Sequence, residues 1–503
     1  MPISRIIPPG PPWKAVSCIH VVQGLGGISL SQTICEEQLD WRAPARGARR
    51  VHLVGVAGAG MRSLADLLDQ AGWQVSGSDL AGLAGAPFEV HMGHDAERID
   101  PSLDLVIHSD AVPAENPERI RANELGVRSM SYAQMLGRLM ETRRGVAVAG
   151  THGKSTTTAM AGEIMLAAGL NPSVVVGAAP IGALAGGRQG MGDWMVVEAC
   201  EYHGNFQYLS PELAAILNVE PDHFDCYASQ SELEQAFWHF ARRVPSSGVI
   251  VARHECMSTM RVVSELSCTV ETFGESTAAT WRATEINQRR GYYHFKLRYR
   301  DRNVCDVKLP VPGMHNVWNA VAAAALASHS GASGAAIRSG LEGFFGLRRR
   351  LQLLGELRNV ALVDDYAHHP TEVVASLTTL REMYPGRRIV CVFQPHQASR
   401  LSRLLDDFAL SLHNADIVVV ADVYRAREEA ETSEAEGSGS DALCLRLQEN
   451  GCQAWRSSTK REILQTLKQR LQPGDVLVAM GAGDIGTVAH ELGQGLRTIR
   501  QAV

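Results

Sequence analysis

RGVAVAGTHGKSTTT, residues 144–158, carries the reading on which the rest of the chain hangs. An apolar run ending at Ala149 leads into Gly150-Thr151-His152-Gly153-Lys154-Ser155-Thr156, and a helix-forming stretch follows. Buried strand, glycine-containing loop and helix start is the order in which a loop cradles phosphate. The glycines let backbone N–H groups approach an anion, Lys154 adds a point charge beside the transferred group, and the Ser155 hydroxyl is placed to ligate Mg²⁺. The full phosphate-loop pattern has a further glycine five residues before Gly153. Val148 stands there, so this loop is a shortened variant. The alternative is an ordinary glycine-rich turn with a solvated lysine.

Outward from the loop, WMVVEAC, LAAILNV and SGVIVAR read as further strands of the same unit. Between Cys268 and Pro310 an alternating, Thr- and Tyr-rich pattern predicts antiparallel strands. The apolar helix HNVWNAVAAAALASHS then leads to an Arg-rich turn at Arg348–Arg350. Upstream, VHLVGVAGAGM after Arg50 is again strand, glycine-rich turn and helix start. SLADLLDQAG continues that helix, WQVSGSD and DLVIHSDAV are strands, and a helix falls near Asn116–Leu125. Downstream, VALVDDY, RRIVCVFQPH, ADIVVVADVY and GDVLVAMGAGDIG are strands of a third unit. Strands alternating with helices predict parallel sheets and an α/β class. The expected divisions are a poorly patterned extension over 1–47, dispensable for activity, and domains over 48–143, 144–346 and 347–503. EEAETSEAEGSGSD, polar and acidic, is expected to be a mobile surface loop.

At 503 residues the chain is too long for one core. Hydrophobic residues at 45% and charged residues at 20% suit a globular protein. A net charge of −6 argues against nucleic acid as a partner, since phosphate-backbone binders carry excess Lys and Arg. The ten cysteines are scattered and form no Cys-x-x-Cys pair, which suggests neither a zinc ribbon nor a disulfide framework and fits a reducing cytoplasm. No apolar run approaches the roughly 18 residues of a membrane span. Prolines interrupt the N-terminus where a signal peptide would be continuously apolar. A monomer or weak homodimer is expected.

GTHGKST is accompanied, from about Val51 to Ile485, by GVAGAGM, SGSD, EACE, NVEPDHFD, PGMHNVWNA, DDYAHHPTEV and FQPH. In this set and order the chain resembles the Mur ligase family of ATP-dependent amide-bond ligases. The resemblance implies a three-domain architecture: a Rossmann-like UDP-sugar domain, a P-loop ATPase-like central domain and a Rossmann-like C-terminal domain. DDYAHHPTEV and FQPH are most similar to the family members that join an amino acid to UDP-N-acetylmuramate. The implied cofactors are ATP and Mg²⁺, and the implied partners are UDP-N-acetylmuramate and L-alanine. ATP would phosphorylate the lactyl carboxylate, and the amino group would then displace phosphate.

Glu198 and His223 each follow an apolar strand of the second unit, so both belong at the carboxyl edge of one sheet, beside the loop. A carboxylate and a neutral imidazole there suit a divalent ion, and the resemblance makes them metal ligands with Ser155. His223 alone reads as a capped loop histidine, and Glu201 as a surface charge. The resemblance sets His315, Asn316 and Asn319 against the nucleotide and Asp365 near its ribose. It aligns Arg349 and Arg350 with a phosphate-binding pair, Leu351 replacing an aromatic, and makes Lys154 and Arg350 the cations that neutralise developing charge. Tyr366, His368, His396 and Arg400 fall beside the incoming amino acid. His368, with an unperturbed pKa near neutrality, is a candidate acceptor of the amine proton. Against these stand bland readings: Asn316 a cap, Asn319 a polar face residue, the arginines a solvated turn, Asp365 a helix cap, the histidines surface residues. In the first unit Gly55, Gly58, Gly60 and Met61 would hold the UDP diphosphate. Ser78 and Asp79 would lie near the uridine, and Ser109 would line the same site. Departures from the family pattern are Ala57 for a glycine, Asp110 for a serine, Tyr132 and Gln134 for an arginine and a glutamate, and Gln397 for an arginine.

Two other functions fit parts of the chain. GVAGAGM with Asp79 also matches a dinucleotide fingerprint, hence a nicotinamide oxidoreductase, but that leaves GTHGKST unexplained. A catalytically silent nucleotide- or UDP-sugar-binding regulator fits Gln397 and Ala57, but not the intact Lys154, Glu198, His223 and Asp365.

Overall fold

The computed structural model describes residues 49–183, 186–426 and 439–500. The extension over 1–47 and most of the acidic loop lie outside these residues. The last two residues of that loop, Ser440 and Asp441, open the helix Ser440–Glu449.

Three sheets follow one another along the chain. The first holds β1 (Arg50–Val54), β2 (Gln74–Asp79), β3 (Glu89–Met92), β4 (Leu105–His108) and β5 (Ser129–Ser131), all parallel, in the order β3-β2-β1-β4-β5. Its central strands are apolar on both faces because helices cover both; Val51, Leu53, Val106 and Ile107 are fully buried. The strand order reverses at β1, so the turn Gly55–Gly58 emerges where two crossovers diverge, the usual ligand crevice of such sheets.

The second sheet holds β6 (Arg144–Ala149), β7 (Ser173–Val175), β8 (Gly187–Arg188), β9 (Trp194–Glu198), β10 (Leu213–Ile216), β11 (Val249–Arg253), β12 (Thr269–Gly274), β13 (Trp281–Arg289), β14 (Tyr292–Tyr299) and β15 (Arg302–Leu309). The order is β15-β14-β13-β12-β11-β10-β6-β9-β7-β8. β6 lies between β9 and β10, parallel to both, so the loop after it opens at the carboxyl edge. The antiparallel pattern expected over 268–310 begins one strand late. β12 still pairs in parallel with β11, and only β13, β14 and β15 form the antiparallel meander. The helices Lys154–Ala167 and Met314–His329 share one core cluster, and Gly340 approaches the backbone of Ile164 so closely that a Cβ would lie 2.4 Å from its Cα.

The third sheet holds β16 (Gln352–Leu357), β17 (Val360–Asp365), β18 (Ile389–Phe393), β19 (Ile417–Val420), β20 (Gln453–Arg456) and β21 (Val476–Met480), in the order β16-β17-β21-β18-β19-β20. All are parallel except the edge strand β16, which the sequence reading did not include. Its hairpin turns on Arg358 and Asn359, with φ of 49° and 63°, the doubly left-handed geometry of a tight two-residue loop. An arginine in that position hides the signal that Asn-Gly would have given.

The first two sheets are joined at Ser63, whose hydroxyl donates to Val176 O at 2.7 Å and accepts from Gly186 N at 3.1 Å. At the same seam a Cβ on Gly187 would lie 1.8 Å from Ser63 O, so the contact requires glycine. No helix among the described residues is long and apolar enough to cross a membrane. The eight described cysteines are all free thiols.

Candidate active site

A cavity of 490 Å³ opens between the second and third sheets. It is lined by His152, Gly153, Ser155 and Thr156 of the loop, by His315, Asn316 and Asn319 of the helix Met314–His329, and by Arg350 and Asp365. These residues span more than two hundred positions of sequence. Arg253, with Phe273 and Trp318 under its guanidinium at 5.5 and 4.5 Å, forms a further wall that the sequence reading did not single out.

The loop conformation depends on its glycines. Gly150 and Gly153 have φ of 143° and 85°, and a Cβ on Gly153 would also lie 2.6 Å from Asn319 Oδ1. Thr151 faces away from the cavity, exchanging hydrogen bonds between its hydroxyl and the Glu220 backbone at 2.9 and 3.2 Å. The Lys154 ammonium donates to Gly150 O at 2.5 Å, Thr151 O at 3.1 Å and the Glu201 carboxylate at 2.9 Å. The solvated-lysine reading therefore fails: the Lys154 side chain is 15% exposed and that of Glu201 1%. Burial opposes the lysine charge, but Glu201 outweighs it and holds the pKa above its ordinary value. The surface-charge reading of Glu201 fails with it. A second carboxylate three residues beyond the strand end, EACE, was the available signal.

Glu198 ends β9, accepts from Gly177 N at 2.8 Å and takes a hydrogen bond from the Ser155 hydroxyl. Burial pushes its pKa up. Two oxygen donors in contact, one of them a carboxylate disfavoured by its own burial, fit a hard divalent cation. His223, with φ of 52°, instead sets Nε2 3.2 Å from Glu201. The shared Glu198/His223 pair expected from the sequence is thus two adjoining pairs, Ser155–Glu198 and His223–Glu201, with Lys154 on the second.

Across the cavity, burial raises the Asp365 pKa to about 6. The residue does not cap the next helix; His369 does, accepting from Thr371 N at 3.3 Å. Arg350 lies 3.7 Å from Glu372 and 4.9 Å above the Tyr366 ring. Arg349, at φ 58°, does not line the cavity; its guanidinium donates to Gly481 O and Gly483 O at 2.7 and 2.8 Å. His368 Nδ1 lies 3.0 Å from Tyr366 O, and a carbonyl only accepts, so Nδ1 carries the proton and Nε2 presents a lone pair. Burial lowers the His368 pKa to about 4, so it is neutral near pH 7 and a weaker base than the free imidazole assumed from sequence. His315 is likewise pushed down to about 4 by burial and by Arg350. His396 stacks on Tyr424 at 5.8 Å and faces His368 at 5.6 Å.

Arg400 lies against His396 and also reaches the central domain. It is buried, bonds Asp222 through Nε at 2.8 Å and Nη2 at 2.7 Å, and donates through Nη1 to His396 Nδ1 at 3.0 Å. Its guanidinium is an interdomain tie to NVEPDHFD. The Asn316 side chain donates to Pro312 O at 2.7 Å and accepts from Asn319 at 3.1 Å, so it is no N-cap.

In the first domain, Gly55 (φ 85°) and Gly58, the residue preceding the helix Ala59–Gln70, shape the turn, with Gly60 in its first turn. Asp79 holds the turn, accepting from Ala57 N at 2.9 Å and Ala81 N at 3.0 Å. Ser109 packs against Gly55, and Met61 is buried. The Ser78 hydroxyl is fully buried and donates to Glu118 at 2.5 Å, so the side chain is committed beneath the site. Tyr132 stands against Gly60, where a Cβ would lie 3.0 Å from its hydroxyl.

Known proteins align with this arrangement along nearly the whole described chain. The Mur ligase family catalytic domain matches residues 50–144, the Mur ligase middle domain 148–327 and the Mur ligase glutamate ligase domain 349–483. UDP-N-acetylmuramate–L-alanine ligase of Salinibacter ruber is 38% identical over 451 residues, 88% of this chain and 94% of that protein. The enzyme of the same name from Burkholderia mallei is 39% identical, over 89% of this chain and 98% of its own. The crystal structure of UDP-N-acetylmuramate–alanine ligase from Thermotoga maritima is 27% identical with a TM-score of 0.76, covering 89% of this chain and 99% of that one. With its phosphate loop, its three sheets and these alignments in one chain order, the protein belongs to the Mur ligase family.

Proposed function

We propose that the chain joins L-alanine to the lactyl carboxylate of UDP-N-acetylmuramate, using ATP and passing through an acyl phosphate. The observation that carries this reading is the 490 Å³ cavity with the phosphate loop on one wall and Arg350, Asp365 and Glu372 on the other. The domain over 48–143 takes the UDP-sugar on the Gly55–Gly60 turn. The domain over 144–346 takes the ATP phosphates, and that over 347–503 the ribose and the amino acid.

A carboxylate is a poor acyl donor at neutral pH, so its oxygen first attacks the γ-phosphorus and ADP departs. Lys154 leaves its contact with Glu201 for the phosphates, and Arg350 approaches from the opposite wall; together they neutralise charge spreading over the transferred group. Ser155 and Glu198, with His223 beside them, would hold Mg²⁺, which supplies further charge neutralisation. The neutral amine then attacks the acyl carbon, the bond to phosphate breaks, and a proton passes from the amine to His368 Nε2. Docking of the third domain keeps water from the acyl phosphate. Phosphate release from ATP should require UDP-N-acetylmuramate and L-alanine together. Release that ignores either substrate contradicts the proposal.

A further inference from the structure

We propose that His152 is a positioning residue that makes a competent phosphate loop conditional on closure of the C-terminal domain, by bridging Glu220 of the central domain and Glu372 of the C-terminal domain. The inference rests on the ligase reading and deepens it. His152 stands inside the loop, yet both of its ring nitrogens face carboxylates. Nδ1 lies 3.2 Å from Glu372 Oε1 and Nε2 3.5 Å from Glu220 Oε2. Its backbone is fixed from the other side by Asn218, which accepts from His152 N at 2.7 Å and donates to His152 O at 3.1 Å. Any displacement of the ring therefore reaches the loop that holds Gly153 and Lys154.

Both carboxylates are tied to the docked third domain. Thr371 Oγ1 donates to Glu220 Oε2 at 2.6 Å, and His369 Nε2 donates to Pro221 O at 3.2 Å. Glu372 also meets His368 Nδ1 at 3.3 Å and Arg350 Nη1 at 3.7 Å, so one carboxylate touches the loop histidine, the candidate base and the candidate cation. The groups facing His152 are Glu220, Glu372 and the His369 ring, 4.6 Å away. A ring with a carboxylate on each nitrogen bonds both only when doubly protonated. Burial opposes that charge, but the two carboxylates outweigh it and push its pKa up to about 9, while His369 stays below its ordinary value. The bridge is fully present below an ordinary imidazole pKa near 6.5 and is lost as pH rises through about 9.

The full chain and its His152→Gln and Glu220→Gln variants decide this. Turnover, the Kd of a non-hydrolysable ATP analogue and the radius of gyration of the analogue-bound protein are measured from pH 7 to 10. The bridge predicts a fall in kcat of about tenfold or more in His152→Gln, with the analogue Kd within about threefold. The wild type should lose activity and expand as pH passes 9. That limb should fall by about one pH unit in Glu220→Gln and vanish in His152→Gln. Unchanged turnover in both variants, an analogue Kd weakened as much as kcat, or an alkaline limb the variants do not move each overturns the proposal. If His152→Gln does not fold, Glu220→Gln decides alone, since Glu220 is partly exposed. An inactive wild type counts against the ligase reading instead, and the radius of gyration across pH still tests the bridge.

Discussion

Lys154 illustrates how burial changes the meaning of a residue. From sequence, replacing a solvated loop lysine should abolish ligation and leave stability alone. In the structure it neutralises Glu201, which is otherwise left with His223 in a nearly dry site. Lys154→Ala is therefore expected to lower turnover by about a hundredfold or more and also to destabilise the fold by about 3 kcal/mol, read by ligation rate and denaturant unfolding. Activity within about threefold of wild type would remove the phosphate-loop assignment. Asp365 supplies a pH signature. Its pKa is raised by burial to about 6, so folding disfavours its charge, and its cost to stability grows from about pH 4 to 6 and stays constant above. As the ribose acceptor it must be ionised, so the KM for ATP should rise as pH falls through 6. Asp365→Asn should raise KM at pH 8 and flatten that dependence; a pH profile identical to wild type would exclude the role.

At the scale of elements, the strands that carry the motifs were legible because each is a continuous apolar run that ends in polar or glycine-containing sequence. RGVAVA, WMVVE and VALVDD are buried through nearly their whole length. What was not legible depended on pairing across long sequence distances. Nothing in Gln352–Leu357 announces an antiparallel edge strand, since its turn lacks the usual residues. The parallel pairing of β12 is set by β11, not by its own alternating pattern. The same limit applied to the site. Lys154 and Ser155 stood out from their local context, and Asp365 only through the motif resemblance. The commitment of Arg400 to Asp222, of Arg349 to two carbonyls and of His223 to Glu201 requires partners 178, 132 and 22 residues away. Glu220 and Glu372 lay inside recognised motifs but had no local feature to set them apart from solvated carboxylates.

For the whole molecule, the second and third sheets are held around the cavity by the buried Arg400–Asp222 pair and the part-buried His369–Pro221 hydrogen bond, with His152 and Glu372 between the two sheets. Such a closed arrangement suits chemistry in which an activated acyl group must meet an amine before it meets water. The account's central claim is that the carboxylate of the UDP-sugar is itself phosphorylated. UDP-N-acetylmuramate labelled with ¹⁸O in both lactyl carboxylate oxygens tests this directly, with the released phosphate read by mass spectrometry in the presence of ATP and L-alanine. An acyl phosphate transfers one carboxylate oxygen to each phosphate released, so singly labelled phosphate should accumulate in step with ADP. Unlabelled phosphate formed at the same rate as the amide product would contradict the account.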